Sequence, residues 1–110
     1  MTYRVELLEE ALEDILSIVG YYQAHAGTSV ATQIYQKINE AVQSLADMPQ
    51  RGHVPHELWH IATTDIFEIV AGHYRLIYQC SNQDVTIFAV LDGRQDVRTH
   101  LNKRRRRLKL

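Results

Sequence analysis

Five side chains in the C-terminal half, His73, Arg75, Tyr78, Arg94 and Arg98, have the types that cleave a phosphodiester without a metal. Histidine titrates near neutral pH and can act as general base or acid, while guanidinium groups can neutralise a scissile phosphate. The competing reading is structural: Arg75 pairs with a carboxylate of the body, and Tyr74 or Tyr78 packs in the core. A second group, Lys103, Arg104, Arg105, Arg106, Arg107 and Lys109, reads KRRRRLK and suits contact with a polyanion or an acidic protein, or else forms a solvated basic end. His53, His56 and His60 invite a metal reading, since His56 and His60 are four residues apart. Gly52 and Pro55 interrupt that segment, however, and no cysteine or carboxylate cluster completes a tetrahedral set. Surface histidines are therefore expected, with no metal. There is no Gly-rich phosphate loop, nucleophile elbow or zinc signature, so no cofactor is expected either.

The elements that must hold these residues can be read from periodicity. Residues 74–79 and 85–91 are rich in β-branched and aromatic types and flank the polar turn 81–84, which predicts an antiparallel hairpin. Strand alternation puts Tyr74, Leu76 and Tyr78 on one face and Arg75, Ile77 and Gln79 on the other. Asp92-Gly93 then breaks the second strand and releases Arg94 at its end. Earlier in the chain, residues 2–7 alternate as a first strand. Leu8, Leu12, Ile15, Val19 and Tyr22 recur at helical spacing behind an acidic start, predicting a helix from Glu9 to about His25. Gly27 ends it, Thr28 or Ser29 is the expected cap of a second helix, and Pro49 stops that one. Residues 50–64 are irregular, 65–70 resume strand character, and 97–101 predict a short terminal turn of helix. The expected fold is α+β, β-α-α-β-β-β, with a two-helix hairpin on a four-stranded antiparallel sheet. Residues 1–102 form one domain, followed by a mobile basic tail, 103–110.

Composition narrows the setting. At 110 residues the chain is one domain that needs no staple. Its single cysteine, Cys80, cannot form an internal bridge, which fits a reduced thiol and the cytoplasm. No membrane span or signal-peptide pattern is present. The formal charge of −1 conceals polarity: residues 1–93 hold 4 basic and 12 acidic side chains, whereas residues 94–110 hold 8 basic and 1 acidic. Such a chain suits engagement of an anionic partner through its end.

Four pieces, EEALEDI leading to YY, MPQRGH, HYRLIY and VLDGRQD, occur in an order and at spacings that resemble the RelE/ParE superfamily of type II toxin–antitoxin toxins, within it the ParE branch. The resemblance runs from Tyr3 through Leu101. It implies a small toxin neutralised by a cognate antitoxin in a hetero-oligomer, touching operator DNA only through that antitoxin. RelE-like members are ribosome-dependent mRNA interferases, and ParE-like members are associated with poisoning DNA gyrase and blocking replication. RelE-like enzymes place lysines on the strand before the YR motif, whereas this chain has Ile66 and Glu68 there. Its YR arginine is retained as Arg75, and Gln95 stands where an arginine would follow the terminal strand's basic residue. The expectation is a binding toxin rather than an enzyme, inhibiting gyrase through Arg94, Arg98, Lys103, Arg104, Arg105, Arg106 and Arg107. The alternative is a metal-free endoribonuclease using His73, Arg75 and Arg94, and a third reading is a degenerate, antitoxin-bound co-repressor.

Overall fold

The computed structural model describes residues 2–60 and 65–104. Strand β1 (Arg4–Leu7) leads through Leu8 into helix α1 (Glu9–Ala26), whose first turn carries Glu9 and Glu10. Acids there complement the partial positive charge of the helix start. Helix α2 (Thr28–Asp47) follows after one residue, Gly27, whose φ of +91° lies in the region that side chains disfavour. Gly27 itself occupies the cap position of α2, so Thr28 is helical instead of capping. Its hydroxyl accepts a hydrogen bond from Gln23 at 2.7 Å. Pro49 then opens a single 3₁₀ turn, Pro49–Arg51, and a second such turn covers His56–Leu58.

Strands β2 (Ile66–Ala71), β3 (Tyr74–Ser81) and β4 (Asp84–Asp92) form an antiparallel meander, and the sheet order is β1-β4-β3-β2. β1 lies parallel to β4, with Arg4 opposite Asp84 and Leu7 opposite Ile87. The sheet is therefore mixed, and the all-antiparallel arrangement expected from sequence is corrected. Alternation in a strand says which face is buried, and a strand of either direction presents the same alternation.

Both faces of the sheet are covered. Ala11, Ile15, Ile38, Val42 and Leu45 of the helices pack on Ile69, Leu76, Tyr78, Val85, Ile87 and Val90. On the opposite face Ile66, Ile77, Phe88, Ala89 and Leu91 pack under Leu58 of the second 3₁₀ turn and Val97 of helix α3 (Val97–Arg104). The periodicity of β4 changes partway because Ile77 faces Ala89 while Tyr78 faces Ile87. Phe88 is the extra residue of a β-bulge, which turns Val85, Ile87 and Val90 to the helices and Phe88, Ala89 and Leu91 to the other side. Among the described residues no helix is long and apolar enough to cross a membrane.

α3 extends beyond the expected turn at 97–101 and runs through Arg104, so the boundary expected between residues 102 and 103 falls inside a helix. Residues 105–110, the remainder of the expected mobile tail, lie outside the described residues.

Candidate functional site

The tight β2–β3 turn pairs Ala71 with Tyr74, which sets Arg75 opposite Val70 and Glu68 opposite Ile77. Glu68 and Arg75 are thus diagonal neighbours on the face turned away from α1 and α2. Arg75 is 5% exposed and Glu68 4%. The guanidinium donates from Nε to Glu68 Oε2 at 2.6 Å and from Nη2 to Glu68 Oε1 at 3.2 Å. It donates from Nη1 and Nη2 to the two carboxylate oxygens of Glu57, each at 2.7 Å, and from Nη1 to the carbonyl oxygen of Gln95 at 3.0 Å. A guanidinium has five N–H groups, so Arg75 has none left for a substrate phosphate.

The two carboxylates organise the surrounding segments. Glu57 also accepts the backbone N–H of Val97 at 3.0 Å, which ties the start of α3 to the irregular segment. His56 lies 3.3 Å from Glu57 and His53 lies 3.1 Å from Glu68. The backbone of His53 pairs with Glu68 in an isolated antiparallel bridge. Two of the three candidate metal-binding histidines therefore face the acids around Arg75, and among the described residues no three metal-ligating side chains converge. His60 follows Trp59 in an exposed position.

Hydrogen bonding from Arg75 holds the Glu57 carboxyl down at about 2, against the opposing effect of burial, and the same contact pushes the Arg75 guanidinium up. Because the folded value of Glu57 is depressed from 4.5, its contribution to stability is complete above about pH 4.5 and is lost as the pH falls towards 2. Urea midpoints measured down this range should drop more steeply for the wild type than for Glu57→Gln, which has no carboxyl to titrate there. Equal slopes would contradict the assignment.

An open cleft of about 640 Å³ lies beside this network and is lined by His56, Glu68, His73, Arg75, Asp92 and Arg94, among others. The three residues of the catalytic alternative, His73, Arg75 and Arg94, are thus brought to one cleft. Only their availability differs from expectation. Arg94 has a side chain 93% exposed, with Nε 3.3 Å from Asp92 Oδ1. A neighbouring groove of about 430 Å³ shares Tyr22, Tyr74, Asp92 and Arg94 with the cleft and continues to Asp14, Ser17 and Tyr21 on α1. The Tyr74 hydroxyl donates to that of Tyr22 at 3.1 Å, and burial pushes the Tyr74 phenol up.

The basic residues expected to meet a target are placed unequally. Arg98 is exposed and paired with Asp96 at 2.9 Å. Lys103 lies within α3. Arg104 is not free: its guanidinium grips both oxygens of Asp14 at 2.8 and 3.0 Å and donates to the carbonyl oxygen of Phe88 at 2.7 Å. Arg105, Arg106 and Arg107 lie outside the described residues. Sequence reasoning missed Glu57 and Asp14. Glu68 was read only as standing where a RelE-like enzyme has lysine, although an acid on an otherwise apolar strand, set diagonal to an arginine by a tight turn, was a readable sign of the pair.

This architecture, two long helices on a four-stranded mixed sheet, recurs in chains of solved toxin–antitoxin complexes. The fold is similar to a structure described as the chromosomal ParDE toxin–antitoxin system from P. aeruginosa, with a TM-score of 0.70 and 14% identity over 83% of this chain and 96% of that one. It is also similar to a chain of the RelBE2 toxin–antitoxin complex from Mycobacterium tuberculosis, with a TM-score of 0.58 and 23% identity over 84% of this chain and 99% of that one. A chain of the archaeal RelE–RelB complex from Pyrococcus horikoshii OT3 gives 0.56 and 20% over 87% and 100%. No curated protein matches. The family model described as the ParE toxin of the type II toxin–antitoxin system, parDE, matches residues 5–97, and the chain belongs to that family.

Proposed function

We propose that this type II toxin acts by binding DNA gyrase and arresting replication in the cytoplasm, and that a cognate antitoxin neutralises it. The observation that carries the reading is the saturation of Arg75. A ribonuclease of this class needs cations aimed at the charge that develops on the phosphate, and here the strand arginine spends its five N–H groups on Glu57, Glu68 and Gln95. Glu68 thus opposes phosphate binding by neutralising Arg75, in addition to the repulsion expected from its charge. The residues assigned to a macromolecular target are Arg94, Arg98, Lys103, Arg105, Arg106 and Arg107. Arg104 passes from this set to a structural role. An antitoxin segment would bury apolar surface and bring acids to the basic end, and operator DNA would be reached only through that partner.

A second reading, cleavage of message on the ribosome, is favoured by one arrangement: His73 and the accessible Arg94 line the same cleft. Supercoiling by purified gyrase and primer extension on translated message separate the two. The expected result is loss of supercoiling, or trapped cleavage complexes, at toxin excess, with no new message ends. New ends with supercoiling untouched would replace the first reading by the second. Normal growth on induction of the toxin alone would favour the degenerate co-repressor instead.

A further inference from the structure

The contact between Asp14 and Arg104 joins residues 90 positions apart, and its surroundings show why it exists. β1 pairs with β4 only as far as Leu7 and Ile87, after which the chain turns away into α1 and leaves β4 without a strand on that edge. The bulge follows immediately. Phe88 then presents a carbonyl oxygen and Val90 an N–H to the open edge, and buried backbone groups of this kind need partners. Arg104 donates to the first at 2.7 Å, and Asp14 Oδ2 accepts from the second at 2.9 Å. The ion pair, with side chains 12% and 18% exposed, does the work of the missing strand.

The same pair fastens α3. Val97 is buried at the start of this helix, where Glu57 accepts its N–H, and Arg104 anchors the other end. Arg98, between them, is exposed. α3 is thus attached to the body by a charged contact near each end, with few apolar contacts among its described side chains. Asp14 also lines the groove that continues to Arg94. By sequence Arg105, Arg106 and Arg107 come directly after the anchored Arg104.

We infer that Asp14 and Arg104 are positioning residues for target engagement: the clasp holds α3, the helix that leads by sequence into the basic end, beside the groove that continues to Arg94. The inference rests on the proposed use of that end against a target. The clasp lowers the entropy lost on engagement, because α3 is already held on the body.

Asp14→Asn tests it in the full-length chain, since the amide keeps an acceptor for Val90 N–H and loses the charge that holds Arg104. Hydrogen exchange should show protection of α3 falling about tenfold or more while β3 amides are unchanged, and growth arrest should need about tenfold more induced toxin. Asp14→Glu, which keeps both an acceptor and the charge that holds Arg104, should retain both. Unchanged α3 protection in Asp14→Asn, lost protection with undiminished arrest, or lost arrest in Asp14→Glu with α3 protection intact overturns the positioning role. Neither readout involves gyrase. A wild type that arrests growth and leaves supercoiling intact therefore overturns the gyrase reading alone, while a wild type that arrests nothing overturns both.

Discussion

Arg75→Ala should lower the free energy of unfolding by about 3–5 kcal/mol, the range for removing one partner of a buried ionic group. The magnitude follows from what is left behind. Glu57 and Glu68 have side chains each 6% exposed, and without the guanidinium they would be two like charges sharing a site shut off from water. The change would also be felt beyond the strand. Glu57 holds the start of α3 through Val97, and His53 and His56 contact the same carboxylates, so the segment 53–58 and α3 should loosen together. Urea unfolding at neutral pH measures the loss, and a loss below about 1 kcal/mol, as for an exposed pair, would refute the account of the network. Converting Arg75, Glu57 and Glu68 together to apolar residues of similar volume should recover most of the stability, because no charge then remains buried.

Gly52→Ala should cost about 3 kcal/mol through overpacking and broken hydrogen bonds. A methyl group at Gly52 would collide with the Tyr78 hydroxyl and approach the Glu68 carbonyl oxygen to 2.8 Å. Neither neighbour can retreat easily. The Tyr78 ring is fully buried and its hydroxyl donates to the Pro49 carbonyl oxygen at 2.6 Å, while the Glu68 carbonyl oxygen accepts from His53 N–H at 3.0 Å. The segment from Pro49 to His53 would have to lift from the sheet and release both bonds. Gly20→Ala is the informative contrast, because nothing lies within 4 Å of the added carbon in the middle of α1. That substitution should stabilise by about 0.5–1 kcal/mol through helix propensity alone. Thermal unfolding of the two variants should move in opposite directions, and a neutral Gly52→Ala would show that Tyr78 is not wedged against this turn.

The elements were readable because each has a local cause. Leu8 to Tyr22 at helical spacing, Gly27 between the helices, and the alternation of Tyr74, Leu76 and Tyr78 all follow from neighbours a few residues away. What escaped reading depends on distant partners. The four residues of β1 carry no mark of direction, and the parallel pairing with β4 places Val5 beside Val85. The bulge at Phe88 is invisible in VTIFAVL because every residue from Val85 to Leu91 except Thr86 is buried, so both periods fit. Arg75 was correctly assigned to a rigid strand and could be read either as a phosphate cation or as a paired core residue. The choice turned on Glu57, which lies in an irregular segment whose approach to the sheet no periodicity encodes. Arg104 looked like one more cation in a run, and only its contact with Asp14 sets it apart.

The pairing of the first strand with the last has a kinetic consequence for synthesis in the cell. Arg4–Leu7 cannot dock until residues 84–87 have been made, and Asp14 must wait for Val90 and Arg104. Distant pairings of this kind are slow to close and come late in folding. A ribosome making this chain therefore carries a helical hairpin with an unfinished sheet until β4 has been made. Under the proposed function the activity waits until Arg104 has been made, so a partner made beforehand is already present when the sheet closes.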